Sequence, residues 1–493
     1  LQPDLQTDRA RLKAASVGGV AVNLVAQTAR FGLQFLYQVG LARLLAPADF
    51  GVVAMAAPML AFVGLFADFG LTQATVQKPD MDAAQLTFIF WANLALSGLA
   101  GAVAFAAAPA IALFYGDERV GGVVTALSAT FLLGGLGAQH LALLNRRLAF
   151  VRLAAVDLAS FVAGAGAGLV AALHGAGYRA VVVTQLVTSA ASLALAWGVV
   201  RFVPGRPRWT AEARGLLGFG RDLTGFNLAN FFARNLDNVL IGRFAGEASL
   251  GLYDRAYKLL LLPLGQITGP FAKVATPLLA RLHDDSEAYC RAYLRLLETV
   301  LLLTYPGMAF ALVSSDLLIP TVLGPQWAGV SPIFSILALG GFFAPVSNSA
   351  GWLFVTQGRT REMRDWGFVS SAMFVLSFVA GLRWGAIGVA ACYIGVGAVI
   401  QGPMIWWAST RRGPVGLSSL LASLAPCLVA LLVTLATERG LQAALPADAL
   451  SLAILAAAAY PSFVAGLLAT GSGRRALRAV QRQARQTLRR SAA

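Results

Sequence analysis

Apolar residues in this chain come in long unbroken runs rather than in one-sided stripes. Ala83 to Gly116 is 34 residues without a charge, and Leu317 to Gly358 is 42. Further uncharged runs cover Val120–Asn145, Trp384–Thr410, Gly413–Thr437 and Ala449–Gly473. Each exceeds the ~20 apolar residues a helix needs to cross a bilayer. The pattern predicts an all-α polytopic membrane protein of about fourteen transmembrane helices. They fall near 14–42, 49–76, 84–114, 120–144, 153–174, 179–200, 216–242, 249–278, 291–314, 329–357, 364–382, 385–410, 416–437 and 450–470. Segment 317–323, closed by Gly324-Pro325, extends or caps the ninth.

Composition supports this reading. A chain of 493 residues would otherwise suggest about three soluble domains of roughly 150 residues. Only 12% of the residues are charged, against about 25% in ordinary globular chains. Intrinsic disorder, a disulfide scaffold and a soluble enzyme are excluded. The net charge of +15 would suit nucleic acid, but the basic residues sit between and after the apolar runs. On the side of the N-terminus the loops and tails hold 26 Lys and Arg, and the opposite loops hold six: Arg43, Arg119, Arg179, Arg243, Arg383 and Arg439. By the positive-inside rule both termini are cytoplasmic, with the chain in the cytoplasmic membrane. The stretch Leu1–Lys13 lacks the apolar core of a removable signal peptide.

Little in the chain suggests bound metal or cofactor. Cys290, Cys392 and Cys427 lie far apart, and His140, His174 and His283 lack ligand spacing, so all six read as structural or incidental. No G-x-x-x-x-G-K-[ST] loop is present, which argues against direct use of ATP. The expected cofactor set is empty. The segment from Gly471 to Ala493 carries seven arginines and no acid, with Leu477, Val480, Ala484 and Leu488 at helical spacing. It is a cytoplasmic basic tail that could lie along anionic inner-leaflet lipids or simply be solvated.

The chain also repeats itself. Val39-Gly-Leu-Ala-Arg43-Leu-Leu-Ala-Pro-Ala48-Asp-Phe-Gly51 aligns with Val239-Leu-Ile-Gly-Arg243-Phe-Ala-Gly-Glu-Ala248-Ser-Leu-Gly251 at an offset of 200. Phe114-Tyr-Gly116 matches Val322-Leu-Gly324, and Gly177 matches Gly385, at an offset of 208. An even number of spans separates the copies, so they are parallel repeats about an axis along the membrane normal. The expected organisation is a six-helix lobe over 1–201, a cytoplasmic linker over 202–215, a second six-helix lobe over 216–410, a helix pair over 413–471 and the tail over 472–493. Paired lobes suit alternating access.

Polar residues stand where lipid would be expected. Asn23, Gln27, Arg30, Gln34 and Gln38 share one face of the first span. The seventh repeats the device with Asn227, Asn230, Arg234, Asp237 and Asn238. A charge at the bilayer centre costs ~2.5–3.5 kcal/mol on insertion scales, so these stripes face water or protein. They could line a cavity or glue helices together by hydrogen bonds. In Leu250-Gly-Leu-Tyr-Asp254-Arg255-Ala-Tyr257-Lys258, Lys258 lies ~13 Å past the outer boundary at ~1.5 Å per residue. It could line a cavity, snorkel, or pair with Asp254 at i, i+4. Asp237 and Asp254 are candidates for ion coupling. Asp68, Asp157 and Asp222 read as turn or packing residues.

Four segments carry a resemblance: Leu41-Ala-Arg-Leu-Leu-Ala-Pro-Ala-Asp-Phe-Gly51, Phe66-Ala-Asp-Phe-Gly-Leu71, Arg234-Asn-Leu-Asp-Asn-Val-Leu-Ile-Gly-Arg243 and Leu250-Gly-Leu-Tyr-Asp-Arg-Ala-Tyr257. With them, most of residues 15–410 resembles the polysaccharide transporter family of the multidrug/oligosaccharidyl-lipid/polysaccharide flippase superfamily. The likeness is to its Wzx-type lipopolysaccharide and exopolysaccharide flippases. The last two spans and the tail match only in hydropathy. The resemblance implies a V-shaped, two-lobed fold, like that of multidrug and toxin extruders. It implies transport, not catalysis: an undecaprenyl-diphosphate-linked oligosaccharide would be carried to the outer leaflet for surface polysaccharide synthesis. Other polysaccharide assembly proteins are then expected partners, and nucleic acid is not. Related flippases use cationic cavity residues, a role that would fall to Arg30, Arg234 and Lys258. The second span has no cation facing Lys258, so the set departs from a symmetric ring.

The physics suits that cargo. A diphosphate bears about two negative charges, prohibitive to carry bare through hydrocarbon. Arg forks and a Lys ammonium replace its lost water. With the cytoplasm negative, outward movement of an anion gains ~2.3 kcal/mol per charge per 100 mV. Two other readings use the same scaffold or setting. A cation-coupled multidrug extruder should favour carboxylates in its cavity, and a membrane polymerase or ligase should carry a sizeable outer loop, which this chain lacks.

Overall fold

A computed structural model describes residues 28–67, 71–77, 81–206, 211–471, 473–475 and 477. Every regular element among them is helical. Ten helices are long and apolar enough, among the described residues, to cross a membrane. The chain is a multi-pass membrane protein.

Helix α1 (28–44) turns through extended Ala46 into α2 (Pro47–Gly64). Proline fits a helix start because its missing N–H is one the first turn leaves unbonded anyway. Asp49 closes this start by accepting from the Ala46 N–H at 3.0 Å. Where one span over 49–76 is expected, α2 ends at Gly64 and a short α3 (Leu71–Gln77) follows. Then come α4 (Ala83–Tyr115), α5 (Glu118–Arg146), α6 (Phe150–Leu173) and α7 (Arg179–Val199). Asp82 caps α4 through the Gln85 N–H at 2.6 Å. At its far end Gly116, in the left-handed region at φ 73°, returns its N–H to Ala112, a conformation open to glycine without a Cβ penalty.

The expected spans over 216–242 and 249–278 appear as one helical run, α8 (Ala211–Arg281), broken at Gly246. With φ 82° and ψ 173°, Gly246 occupies a region essentially closed to residues with a Cβ. Next are α9 (Ser286–Val313), α10 (Ser315–Leu323), α11 (Val330–Thr356) and α12 (Thr360–Gly381). The twelfth expected span is α13 (Gly385–Val396), a π turn over Gly397–Gln401, and α14 (Gly402–Thr410). Pro403 has no N–H for the carbonyl one turn back, which favours loosening the spiral there. A hairpin of α15 (Leu417–Ala444) and α16 (Ala449–Ala469) follows.

The chain divides into two compact units, one ending at Gly251 and the other beginning at Leu252. In the first, α4 pairs with α5 and α6 with α7. Gly164 and Gly168 let α6 close on Thr184 and Thr188 of α7, where a Cβ would collide with a threonine hydroxyl. In the second, α9 packs on α11, α15 and α16.

The sequence repeat has a physical counterpart inside the first unit. Gly51 lies against the backbone of Glu247, and Gly251 lies against the backbone of Pro47. A Cβ at either glycine would overlap the opposing carbonyl oxygen. Adding 200 turns one contact into the other, so the two motif copies meet reciprocally, each using its glycine to approach its twin.

Candidate functional site

The second half of α8 carries a charge cluster formed by Asp254, Arg255 and Lys258. Asp254 is buried, and its two oxygens are taken separately. Oδ2 accepts from Arg255 Nη2 at 2.9 Å, and Oδ1 lies 2.8 Å from Lys258 Nζ. The i, i+4 spacing stacks Lys258 over Asp254 on one helix face. Arg255 is buried with the carboxylate, whereas the Lys258 side chain is 49% exposed. Two cations thus share one carboxylate, and the more exposed of them is Lys258. Tyr253, fully buried, and Tyr257 stack alongside with ring centres 6.1 Å apart.

The polar face of α1 is built differently. Arg30 Nη1 reaches Asp157 Oδ2 of α6 at 3.3 Å, with both side chains nearly half exposed. Two turns further on, the Tyr37 hydroxyl meets Thr184 Oγ1 of α7 at 2.5 Å, and its ring sits edge-on to Phe161. Gln34 and Gln38 are half-buried. This face therefore binds α1 to α6 and α7 while leaving the Arg30–Asp157 pair nearly half exposed. Asp157, expected to be a packing residue, is the counter-ion of a candidate site cation. The signal available in sequence was an acid and a base isolated in separate apolar spans.

Of the other expected site residues, Asp237 is buried, its Oδ1 accepting from the Asn238 N–H at 2.8 Å, and Asn238 is half-buried. Asn23 and Gln27 lie outside the described residues, as do Asp68 and the tail from 478 onward. So do the side chains of Asp222, Asn227, Asn230 and Arg234.

A second polar assembly gathers the turns of the first unit. Asp49 Oδ1 accepts from the Tyr178 N–H at 2.9 Å, tying the α1–α2 turn to the α6–α7 turn. Gly177, at φ 56°, leaves room for this carboxylate. Arg119 bridges Asp117 at 2.8 Å and Glu247 at 3.1 Å. Burial pushes the Asp117 carboxyl up, but the side chain and backbone N–H of Arg119 outweigh it and hold the group below its ordinary value. Arg243 lies over the rings of Phe114 and Phe244. Motif residues 100 and more positions apart thus meet at one end.

The six cysteine and histidine positions offer no metal centre. No group of three His, Cys, Asp or Glu side chains suited to a metal occurs among the described residues, and the three cysteines are free thiols. His140 is fully buried, stacked on Trp197 at 4.4 Å, with Nε2 3.0 Å from the Phe202 carbonyl. It is a packing residue.

Apolar helices in tandem, a repeated motif and cations inside the apolar region define a helical membrane transporter. Solved structures agree on the fold. The lipid II flippase MurJ in an inward closed conformation is similar over 90% of this chain and 98% of its own, with TM-score 0.69 and 14% identity. An inward-facing multidrug resistance MATE transporter of the MOP superfamily follows at TM-score 0.61 and 15% identity, over 80% and 94%. Residues 40–332, more than half the chain, match the family described as Polysaccharide biosynthesis protein, and the chain belongs to that family. Its relatives include the lipopolysaccharide biosynthesis protein WzxC of Escherichia coli (strain K12), 24% identical over 77% of each chain. The succinoglycan biosynthesis transport protein ExoT of Rhizobium meliloti (strain 1021) is 27% identical over 68% of each. The teichuronic acid biosynthesis protein TuaB of Bacillus subtilis (strain 168) is 26% identical over 66% of this chain and 68% of its own.

Proposed function

We propose that this protein is a flippase that moves a lipid-diphosphate-linked oligosaccharide from the inner to the outer leaflet of the bacterial cytoplasmic membrane for surface polysaccharide synthesis. It works by movement of its cargo and makes or breaks no covalent bond. The supporting observation is the Asp254–Arg255–Lys258 cluster, in which the carboxylate and Arg255 are buried while the Lys258 side chain is 49% exposed. Asp254 binds Arg255 and Lys258 on separate oxygens, which holds the ammonium in place. A diphosphate entering beside it exchanges water for a charge-assisted hydrogen bond.

In this reading the six-helix segments 1–201 and 216–410 are the two lobes of an alternating-access carrier, and both termini are cytoplasmic. Arg30 and Arg234 add cationic contacts. The amides of Asn23, Gln27, Gln34, Gln38, Asn227, Asn230 and Asn238 meet sugar hydroxyls. Asp237 and Asp254 are the candidates for ion coupling. The basic tail rests on anionic inner-leaflet lipid, and other polysaccharide assembly proteins deliver and receive the cargo. A multidrug extruder is disfavoured by the same cluster, because its exposed group is an ammonium while its carboxylate is buried.

The test is a leaflet-translocation assay in proteoliposomes with a polyprenyl-diphosphate oligosaccharide. Lys258→Ala is expected to lower translocation at least tenfold while the purified protein stays folded. Wild-type rates in that variant, or equal transport of an uncharged polyprenyl glycoside, would defeat the reading.

A further inference from the structure

The α15–α16 hairpin contains a carboxyl group that the transport reading does not use. Glu438 is fully buried, and no described residue offers a hydrogen bond to either of its oxygens. It lies on the stripe formed by Leu424, Cys427, Leu431 and Thr434, the buried face of α15. A carboxylate sealed from water without a donor is far more costly than the neutral acid, which loses only a polar group's hydration.

The position is specific. Ser423 Oγ donates to Glu298 Oε1 of α9 at 2.8 Å, fixing the register of α15 on α9. Fifteen residues further, at ~1.5 Å each, Glu438 comes level with the end of α9. Just beyond is a pocket of roughly 160 Å³ lined by Asp316 and Leu317 of α10, Gln442, the turn residues Leu445 to Ala447, and Ser451 and Leu455 of α16. Gln442 is one turn, ~6 Å along the axis, past Glu438.

The surrounding charges do not neutralise it. Arg439, the next residue, is exposed and donates to Gln442 Oε1 at 3.2 Å. From Glu298 to the end of α9 the titratable groups are Glu298, held by Ser423, and Tyr305, whose hydroxyl donates to the Phe342 carbonyl. On α16 the Tyr460 hydroxyl donates to the Leu303 carbonyl. Asp448 caps α16 through Ser451, and Asp316 stands exposed at the pocket. Cys427, three turns inward on α15, is buried.

We infer that Glu438 is a proton-binding site, carried as the neutral acid and exchanging its proton with water through the pocket at the α15–α16 turn. The ligand is a proton, and the exchange route runs past Gln442. This inference is independent of what the protein transports.

Infrared spectroscopy of the full chain in nanodiscs tests it. Wild type at neutral pH should show a carboxylic-acid carbonyl absorption that is missing from E438Q and retained in E298Q. Alkali should convert it to carboxylate, and D₂O should shift it. A447W, which fills the pocket from its exposed turn, should slow the deuterium shift at least tenfold. Should E438Q fail to accumulate, E438D should replace the band with one displaced in frequency. Identical neutral-pH spectra for wild type and E438Q, or for E438D in its place, would overturn the inference. So would a band unmoved by alkali and D₂O, or an A447W rate equal to wild type.

Discussion

Arg30 and Lys258 both stand in apolar helices, yet they are neutralised in opposite ways. Arg30 takes its partner from another helix, 127 residues away, in a one-to-one pair that is nearly half exposed on both sides. Lys258 takes its partner from its own helix, one turn back, and shares it with buried Arg255. The first arrangement is a balanced bridge between helices. The second is a cluster within one helix, with its carboxylate buried and its ammonium half-exposed. A cross-helix pair suits holding helices together, and a half-exposed ammonium suits meeting an anion.

The sharpest way to break this contrast is to remove each carboxylate. Asp254→Ala removes the buried carboxylate that Arg255 and Lys258 share, a loss expected to cost about 3–5 kcal/mol and to collapse the yield of monodisperse protein. Asp157→Ala breaks a solvent-screened pair and should cost no more than ~1 kcal/mol in thermal melting. Comparable losses for both would end the distinction. Next in size are the reciprocal glycines. Gly51→Ala and Gly251→Ala each force a Cβ into a carbonyl and should destabilise by about 1–3 kcal/mol. The double variant should cost less than the two together, because one separation relieves both clashes. Strict additivity in melting experiments would mean the two contacts are uncoupled.

Smaller effects sharpen the functional side. The double variant Arg30→Ala/Asp157→Ala removes no net charge, and its translocation should fall less than that of Lys258→Ala, about threefold against tenfold, roughly 0.7 against 1.4 kcal/mol. The smallest effect belongs to the Asp117–Arg119–Glu247 bridge. Because the folded Asp117 carboxyl is held below its ordinary value, its contribution is present above that value and lost as pH falls through the folded one. Wild type should melt slightly above Arg119→Gln at neutral pH, and the two curves should converge in acid. A gap that widens in acid would reverse the sign.

What could be read without the fold was whatever depends on spacing along one helix or on bulk solvation. The uncharged runs gave the helices, since hydrocarbon admits few alternatives for a chain of this polarity. The i, i+4 interval of Asp254 and Lys258 offered pairing as one of three readings, and the structure shows that pair, since a helix fixes its own neighbours. The offset of 200 gave the two motif copies. Tertiary structure decided the rest. It brought Asp157 to Arg30, set Thr184 against Tyr37, and turned Gly51 and Gly251 toward each other's carbonyls. It also enclosed Glu438 without a donor among the described residues, one position before exposed Arg439. Partners on different helices are chosen by how those helices pack, and one-dimensional periodicity carries no record of that choice.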